Sequence, residues 1–333
     1  MNLYLIIIIS AVVGLLLTSN IFYKKRQKKP LVCPLKSDCN LVINSQFSHL
    51  FGMPLEILGF MYYGIIASSY SAFYLQPQIQ TENIILILLI LTTVAFLFSI
   101  YLTLIQALAL KEWCVWCLFS ALLCFVIFLI SIFVTHFSLL EVLNNNYKWL
   151  TVGMTISLIL GVGGSTIYNL LYVKFLKDLK ISKLEKETLR TISQVVWISL
   201  IVLTASGLGL YLSRPDIYNE SASFLIKIFI MFFIIGGEIL LNIILAPHLI
   251  EASDTNTDTS TTADLKYLRR VSLAVSLTSL VSWYTLLTYI ILPLDLEASL
   301  PQLISYYLIA VGVAIIISQF IDYILTANKT YDA

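Results

Sequence analysis

The chain is predicted to be an all-α polytopic membrane protein, and three observations carry that reading. Hydrophobic residues fill 59% of the 333 positions and charged residues only 12%, giving a mean hydropathy of +0.91, far outside the range of soluble globular domains. Uncharged apolar runs recur along the length, and a run of about 18 residues is enough to cross roughly 30 Å of hydrocarbon as a helix. The basic residues gather in short clusters between these runs, the usual flank of a span. With a net charge of only +1, that clustering excludes a nucleic-acid-binding surface.

The first run, from Met1 to Tyr23, carries no charge and stops at Lys24-Lys25-Arg26-Gln27-Lys28-Lys29. A cleavable leader would place basic residues before its apolar stretch and small residues at a cleavage site after it; neither pattern occurs, so a retained anchor is expected. Residues 30–54 hold Pro30, Cys33, Pro34, Asp38, Cys39, Asn40, Gly52 and Pro54, which break regular structure. Leu41, Val42, Ile43 and Phe47 give the same stretch apolar surface, so it reads as a cap lying against the membrane domain. Further spans are expected at 57–75, 84–106, 113–135, 149–173, 191–212, 224–246, 271–292 and 303–325, which makes nine. Lys174 to Arg190 reads as a basic amphipathic connector, and Asp254 to Thr262 as a polar, low-complexity loop. The organisation expected is a four-span domain over 1–136 with a cap loop over 24–56, then a five-span membrane domain over 137–333.

Four of the five cysteines form two close pairs, Cys33 with Cys39 in the loop and Cys114 with Cys117 where the fourth span opens. A CxxC at a helix N-terminus puts both sulfurs within one turn, near unpaired backbone N–H groups and the positive end of the helix dipole, which favours thiolate chemistry. Two pairs in series can exchange through a mixed disulfide, from a water-facing site to a lipid-facing one. Two other readings stand beside this one. Structural zinc wants short Cys or His knuckles in water, whereas Cys33/Cys39 is wider and Cys117 opens an apolar span. Purely structural disulfides are the other, although a CxxC disulfide closes almost no loop and so adds little stability. Cys124, on the same helical face as Cys117, reads as a small apolar residue and is left out of the site.

The order Cys33-Pro-Leu-Lys-Ser-Asp-Cys39-Asn40, Val42, Ser45, Phe51-Gly52-Met53-Pro54-Leu55-Glu56-Ile57-Leu58-Gly59, Tyr62-Tyr63 and Cys114-Val-Trp-Cys117-Leu118-Phe119-Ser120-Ala121 resembles the vitamin K epoxide reductase family over about residues 1–136. The resemblance implies a four-helix bundle around a membrane quinone, menaquinone, ubiquinone or similar, and no metal. It further implies that Cys117 reacts with the quinone, Cys114 exchanges with the loop pair, and Cys33 and Cys39 face a partner. Animal members that reduce the epoxide have a Tyr one turn after the CxxC, where this chain has Ala121, and an Asn on the second helix where it has Leu55. The stretch is more similar to the prokaryotic branch, which oxidises protein thiols and reduces quinone. The activity expected is therefore disulfide-generating thiol:quinone oxidoreduction. Because residues after 136 show no soluble α/β pattern, the dithiol donor is expected to be a separate thioredoxin-like protein. The competing functions are reduction of a vitamin K-type quinone or its epoxide, and a non-enzymatic transporter or scaffold with structural disulfides.

Around the quinone the candidates are Ser45, Trp116, Phe119 and Tyr62, with Trp113 alongside; aromatics at a span end also serve as an interfacial belt. Glu56, at the mouth of the second span, is a candidate proton relay, and His49 reads as a loop residue. Glu238, inside the seventh span after Gly236-Gly237, is a second candidate relay, with Asn242 one turn on and Lys227 snorkelling from the same face. His248 is the one imidazole after residue 149, so a bis-histidine haem is not expected there. With nine alternating spans, all but Lys148, Arg214 and Lys227 of the 20 lysines and arginines fall on the cysteine side. The positive-inside rule then turns the cysteines of this cell-membrane protein toward the cytoplasm, the alternative being the family's usual orientation toward the oxidising side with a basic first loop that misleads the count.

Overall fold

The computed structural model describes residues 3–31, 33, 38–134, 139–176, 183–215, 218, 221–245, 260–291 and 299–329. Among these, eleven α-helices carry the fold: α1 (Leu3–Arg26), α2 (Cys39–Ile43), α3 (Leu55–Leu75), α4 (Glu82–Ile105), α5 (Val115–Phe133), α6 (Leu139–Asn145), α7 (Tyr147–Leu176), α8 (Lys183–Ser213), α9 (Ala222–Glu238), α10 (Ser260–Ile291) and α11 (Leu300–Lys329). The extended pieces described are β1 (His49–Leu50) and β2 (Met53–Pro54), an antiparallel pair turned by Phe51 and Gly52, both at positive φ. The chain is an all-α polytopic membrane protein, with eight helices long and apolar enough to cross a bilayer. The span expected at 57–75 is α3, whose length suffices but whose tyrosines and serines leave it more polar than those eight. His248 and most of the loop expected at 254–262 lie outside the described residues; α10 begins at Ser260.

Two compact units divide the chain, residues 1–154 with 201–213, and residues 155–200 with 214–333. The first takes in the whole predicted redox domain together with α6, the start of α7 and the end of α8. Within it α1 packs along α3 and α5, and α4 packs along α5. The polar residues of α3 explain its place: Tyr63 is 1% exposed, and its hydroxyl pairs with Ser120 Oγ at 2.8 Å and donates to the Ser120 carbonyl at 3.0 Å. Tyr70 donates to Ser131 Oγ at 3.0 Å. These bonds tie α3 to α5 where lipid could offer no partner. Gly14 lets the Tyr63 ring lie against α1, since a Cβ there would collide with it.

In the second unit α10 packs against α9 and α11, and α9 against α11. Its core gathers Tyr168, Tyr172, Leu189, Leu241 and Leu273. Arg269, 2% exposed, pairs with Asp322 at 2.8 Å. The carbon-rich stem of such a residue can be buried only because its charge is met.

Candidate redox site

The cap folds over the end of α1. Asp38 starts α2 by accepting from the backbone N–H groups of Asn40 (3.0 Å) and Leu41 (3.1 Å), a side-chain N-cap. Asn40 then clasps Leu31: its Oδ1 accepts from Leu31 N at 2.8 Å and its Nδ2 donates to Leu31 O at 3.4 Å. That clasp brings Cys33 beside Cys39, and the two form a disulfide with Cα atoms 5.8 Å apart. Val42 and Ile43 turn inward with Cys39, whereas Leu41 stays exposed.

The second pair is set by the turn ahead of α5. At Gln106 the α4 helix becomes a π-helix, Gln106–Leu110, closed by Lys111 at φ 53°. Gln106 is 3% exposed; its carbonyl accepts from Glu112 N at 3.2 Å and its side-chain oxygen from Cys114 N at 2.9 Å. Cys114 is thereby held as the N-cap of α5, with Sγ accepting from Cys117 N at 3.4 Å. Both Cys114 and Cys117 are thiols, Cys114 fully buried and Cys117 half-buried. A hydrogen bond from the Cys117 thiol, helped by the backbone N–H groups of Cys117 and Trp116, holds the Cys114 thiol below the ordinary range despite burial.

One apolar cluster encloses both pairs. Cys39 and Cys114, each 0% exposed, pack with Leu17, Ile21, Leu31, Val42 and Ile43, and Cys33, Cys117, Leu110 and Trp116 lie against them. Beside it runs a short polar network that the residue pattern alone did not reveal. Lys25 Nζ is 2.9 Å from Glu56 Oε1 and donates to Ser48 Oγ at 3.4 Å, and Ser48 Oγ is 3.0 Å from His49 Nδ1. Glu56 is 8% exposed, and its Oε2 makes no hydrogen bond. Both Glu56 and Lys25 lie close enough to act electrostatically on the Cys117 thiol.

The remaining candidates scatter. Ser45 is half-buried, with its hydroxyl donating to Val42 O at 2.8 Å. Trp116 joins the cysteine cluster, while Phe119 and Trp113 are 40% and 47% exposed. Tyr62 lies instead in the bundle core with Tyr63, ring centroids 5.0 Å apart, together with Cys124. Glu238 belongs to the second unit. Lys25, Ser48 and Gln106 are the site residues sequence reasoning missed; Lys25 stood in a basic cluster that reads as topology alone. Among the described residues no cluster of His, Cys, Asp or Glu could hold a metal ion.

A family profile described as Vitamin K epoxide reductase family matches residues 5–132. No curated protein and no solved structure matches the chain. The matched family is one of membrane oxidoreductases that use quinones. All four paired cysteines, the Gln106 turn and the Lys25–Glu56 pair fall inside the matched segment. Residues 5–132 of this integral membrane protein thus match the vitamin K epoxide reductase family profile.

Proposed function

We propose that the protein oxidises the dithiol of a separate thioredoxin-like protein and reduces a membrane quinone, so driving disulfide formation. The observation that carries this reading is the burial of the Cys33–Cys39 disulfide and the Cys114 and Cys117 thiols in one apolar cluster. Staples that served stability alone would have no reason to share a cluster with unpaired thiols.

In the proposed relay the partner's thiolate attacks Cys33, the more accessible sulfur of the loop pair, and the partner leaves as a disulfide with Cys33 and Cys39 reduced. Cys39 then attacks Cys114 in an oxidised Cys114–Cys117 bond, Cys117 is released, and Cys33 closes on Cys39. Each exchange makes one S–S bond and breaks one. Cys114, with its thiol held low, is the sulfur suited to both making and leaving a mixed disulfide.

A quinone supplies the oxidising power, taking two electrons and two protons as the two thiols give them up. The residues fit such a group on one structural point: Cys117 is half-buried whereas Cys114 is sealed, so Cys117 is the sulfur a further reactant can approach. Trp116 and Phe119 are proposed to flank the ring, with Ser45 offering a hydroxyl. Glu56, with one oxygen bound to Lys25 and the other uncommitted, is suited to take the Cys117 proton. The basic bias of the loops supports a cysteine face on the cytoplasmic side, with α3 as a ninth span.

The test uses membranes holding wild type or Cys117→Ser, supplied with a reduced thioredoxin-like protein and a soluble quinone, and follows quinone absorbance. Loss in the variant alone is expected. Equal rates, or none with either, would refute the reading, and consumption of a quinone epoxide by the wild type would redirect it to epoxide reduction. A membrane-impermeant thiol reagent, applied to sealed cells after reduction of the loop pair, reads the side on which Cys33 lies.

A further inference from the structure

Glu238 closes α9 in the second unit and is 2% exposed. Its Oε1 accepts from Ser279 Oγ at 2.8 Å and from Trp283 Nε1 at 3.2 Å, and its Oε2 from Asn242 Nδ2 at 2.6 Å. All three donors are neutral. The ion pairs among the described residues join Lys25 to Glu56 and Arg269 to Asp322, so no described cation meets this carboxylate. A carboxylate so placed in a membrane span is neutralised most simply by a proton.

Close helix packing would explain some of this, since small polar residues are common between membrane helices. Three observations ask for more. The hydroxyls of Tyr172 and Ser272 are buried close to one another with no other partner, and Asn242 Oδ1 is also buried without one. The chain leaves α-helical geometry immediately after Glu238, with Ile239–Leu245 a π-helix that carries Asn242; such segments concentrate at functional sites because the looser ladder frees backbone groups. Finally, α10 turns Ser272, Ser276, Ser279 and Ser282 inward, each 0–1% exposed. Their three- and four-residue spacing keeps them on one face, about 10 Å separating Ser272 from Ser279 along the axis. Ser276 donates to Asn169 Oδ1, and Ser282 pairs with Tyr307 at 2.8 Å.

We propose that Glu238 is a reversible proton-binding site in the second unit, reached through a file of hydroxyls on α7 and α10 formed by Tyr172, Ser272, Ser276 and Ser279. The step is protonation of a carboxylate and its reversal, with no redox change. It stands independently of the thiol relay. Titratable and charged groups on the surrounding elements include Tyr168 and Tyr172 on α7, Arg190 on α8, Lys227 on α9, Arg269 and Arg270 on α10, and Tyr307 and Asp322 on α11. Tyr168 is the one felt electrostatically with Glu238, and Arg269 is committed to Asp322.

The experiment treats the full-length protein in liposomes with dicyclohexylcarbodiimide, which couples to protonated carboxyl groups in apolar surroundings, and maps the adduct by peptide mass spectrometry. Label is expected on Glu238, falling about tenfold for each pH unit above its midpoint and absent from Glu238→Gln. Tyr172→Phe combined with Ser272→Ala is expected to slow the response to a pH jump several-fold. Absence of label at Glu238 in the wild type, or label indifferent to external pH, would overturn the site. An unchanged response in the double variant would overturn the hydroxyl file.

Discussion

Replacing Lys25 by Met is predicted to destabilise the first unit more than replacing Glu56 by Gln, and the two losses are predicted not to add. In the intact pair Nζ lies 2.9 Å from Glu56 Oε1, with side chains 18% and 8% exposed. Without the lysine, Oε1 joins Oε2 as an uncompensated oxygen in a buried carboxylate. Breaking a fully buried pair from that side costs about 3–5 kcal/mol, and the partial exposure of Lys25 brings the figure to about 2–3 kcal/mol. Losing Glu56 is milder, because Lys25 keeps Ser48 and can extend toward water, for about 1 kcal/mol. Lys25→Met with Glu56→Gln removes both charges together and should return to within about 1 kcal/mol of wild type. The coupling is then about 2 kcal/mol, roughly thirtyfold in the folded-to-unfolded ratio. The assay titrates purified protein with a denaturing detergent and counts maleimide adducts at Cys114 and Cys124, both buried in the folded state. If Glu56→Gln costs as much as Lys25→Met, or the double variant costs the sum of the singles, the pair does not act as described.

Three shorter predictions follow from the same geometry. Gln106→Leu should leave the buried Cys114 N–H without an acceptor, costing about 1–3 kcal/mol and slowing exchange between the two cysteine pairs, read by quenched-flow thiol trapping. Cys117→Ala removes the donor that holds the Cys114 thiol low; thiolate formation at Cys114, followed by its ultraviolet absorbance, should move to higher pH. The sign matters here, since a lowered thiol is ionised at lower pH, and losing its donor must reduce thiolate at neutral pH. Asn40→Ala undoes the clasp on Leu31 and should make Cys33–Cys39 easier to reduce by a small dithiol, with a loss of about 1–2 kcal/mol in stability; an unchanged reduction rate would show that the clasp does not restrain the loop.

How much of this was readable from residue order depends on whether the cause is local. Hydropathy is local, so α1, α4 and α5 lie close to the spans expected, and the CxxC placed its sulfurs at the start of α5 as helix geometry requires. The cap was foreseen from its prolines and apolar residues, yet its clasp joins Asn40 to Leu31 across a pairing that no pattern announces. Gln106 looked like one polar residue ending an apolar run, and its role arises because a π-turn aims its side chain at Cys114 N. Lys25 was indistinguishable from Lys24 or Lys28 by composition, because its partner Glu56 arrives from another helix. The span expected at 57–75 is α3, and the partners of its tyrosines on α5, invisible in residue order, give the reason the helix tolerates them. The short α6 carried no distinctive signal and was passed over.

Two buried centres among the described residues adjoin a π-helical segment, Gln106–Leu110 before the CxxC and Ile239–Leu245 after Glu238. A membrane helix cannot leave backbone groups unpaired against lipid, so a departure from the α ladder persists only where other groups meet those it frees. At Gln106 the freed carbonyl is taken by Glu112 N, and the extra winding points the side chain at Cys114. At Glu238 the widened turn carries Asn242, whose amide donates to Oε2 four residues back. In each case the wider turn turns a polar side chain inward, where a regular helix would have set the next apolar residue. The same device therefore equips two chemically different centres, a thiol pair and a lone carboxylate, and straightening either segment should disturb its own centre alone.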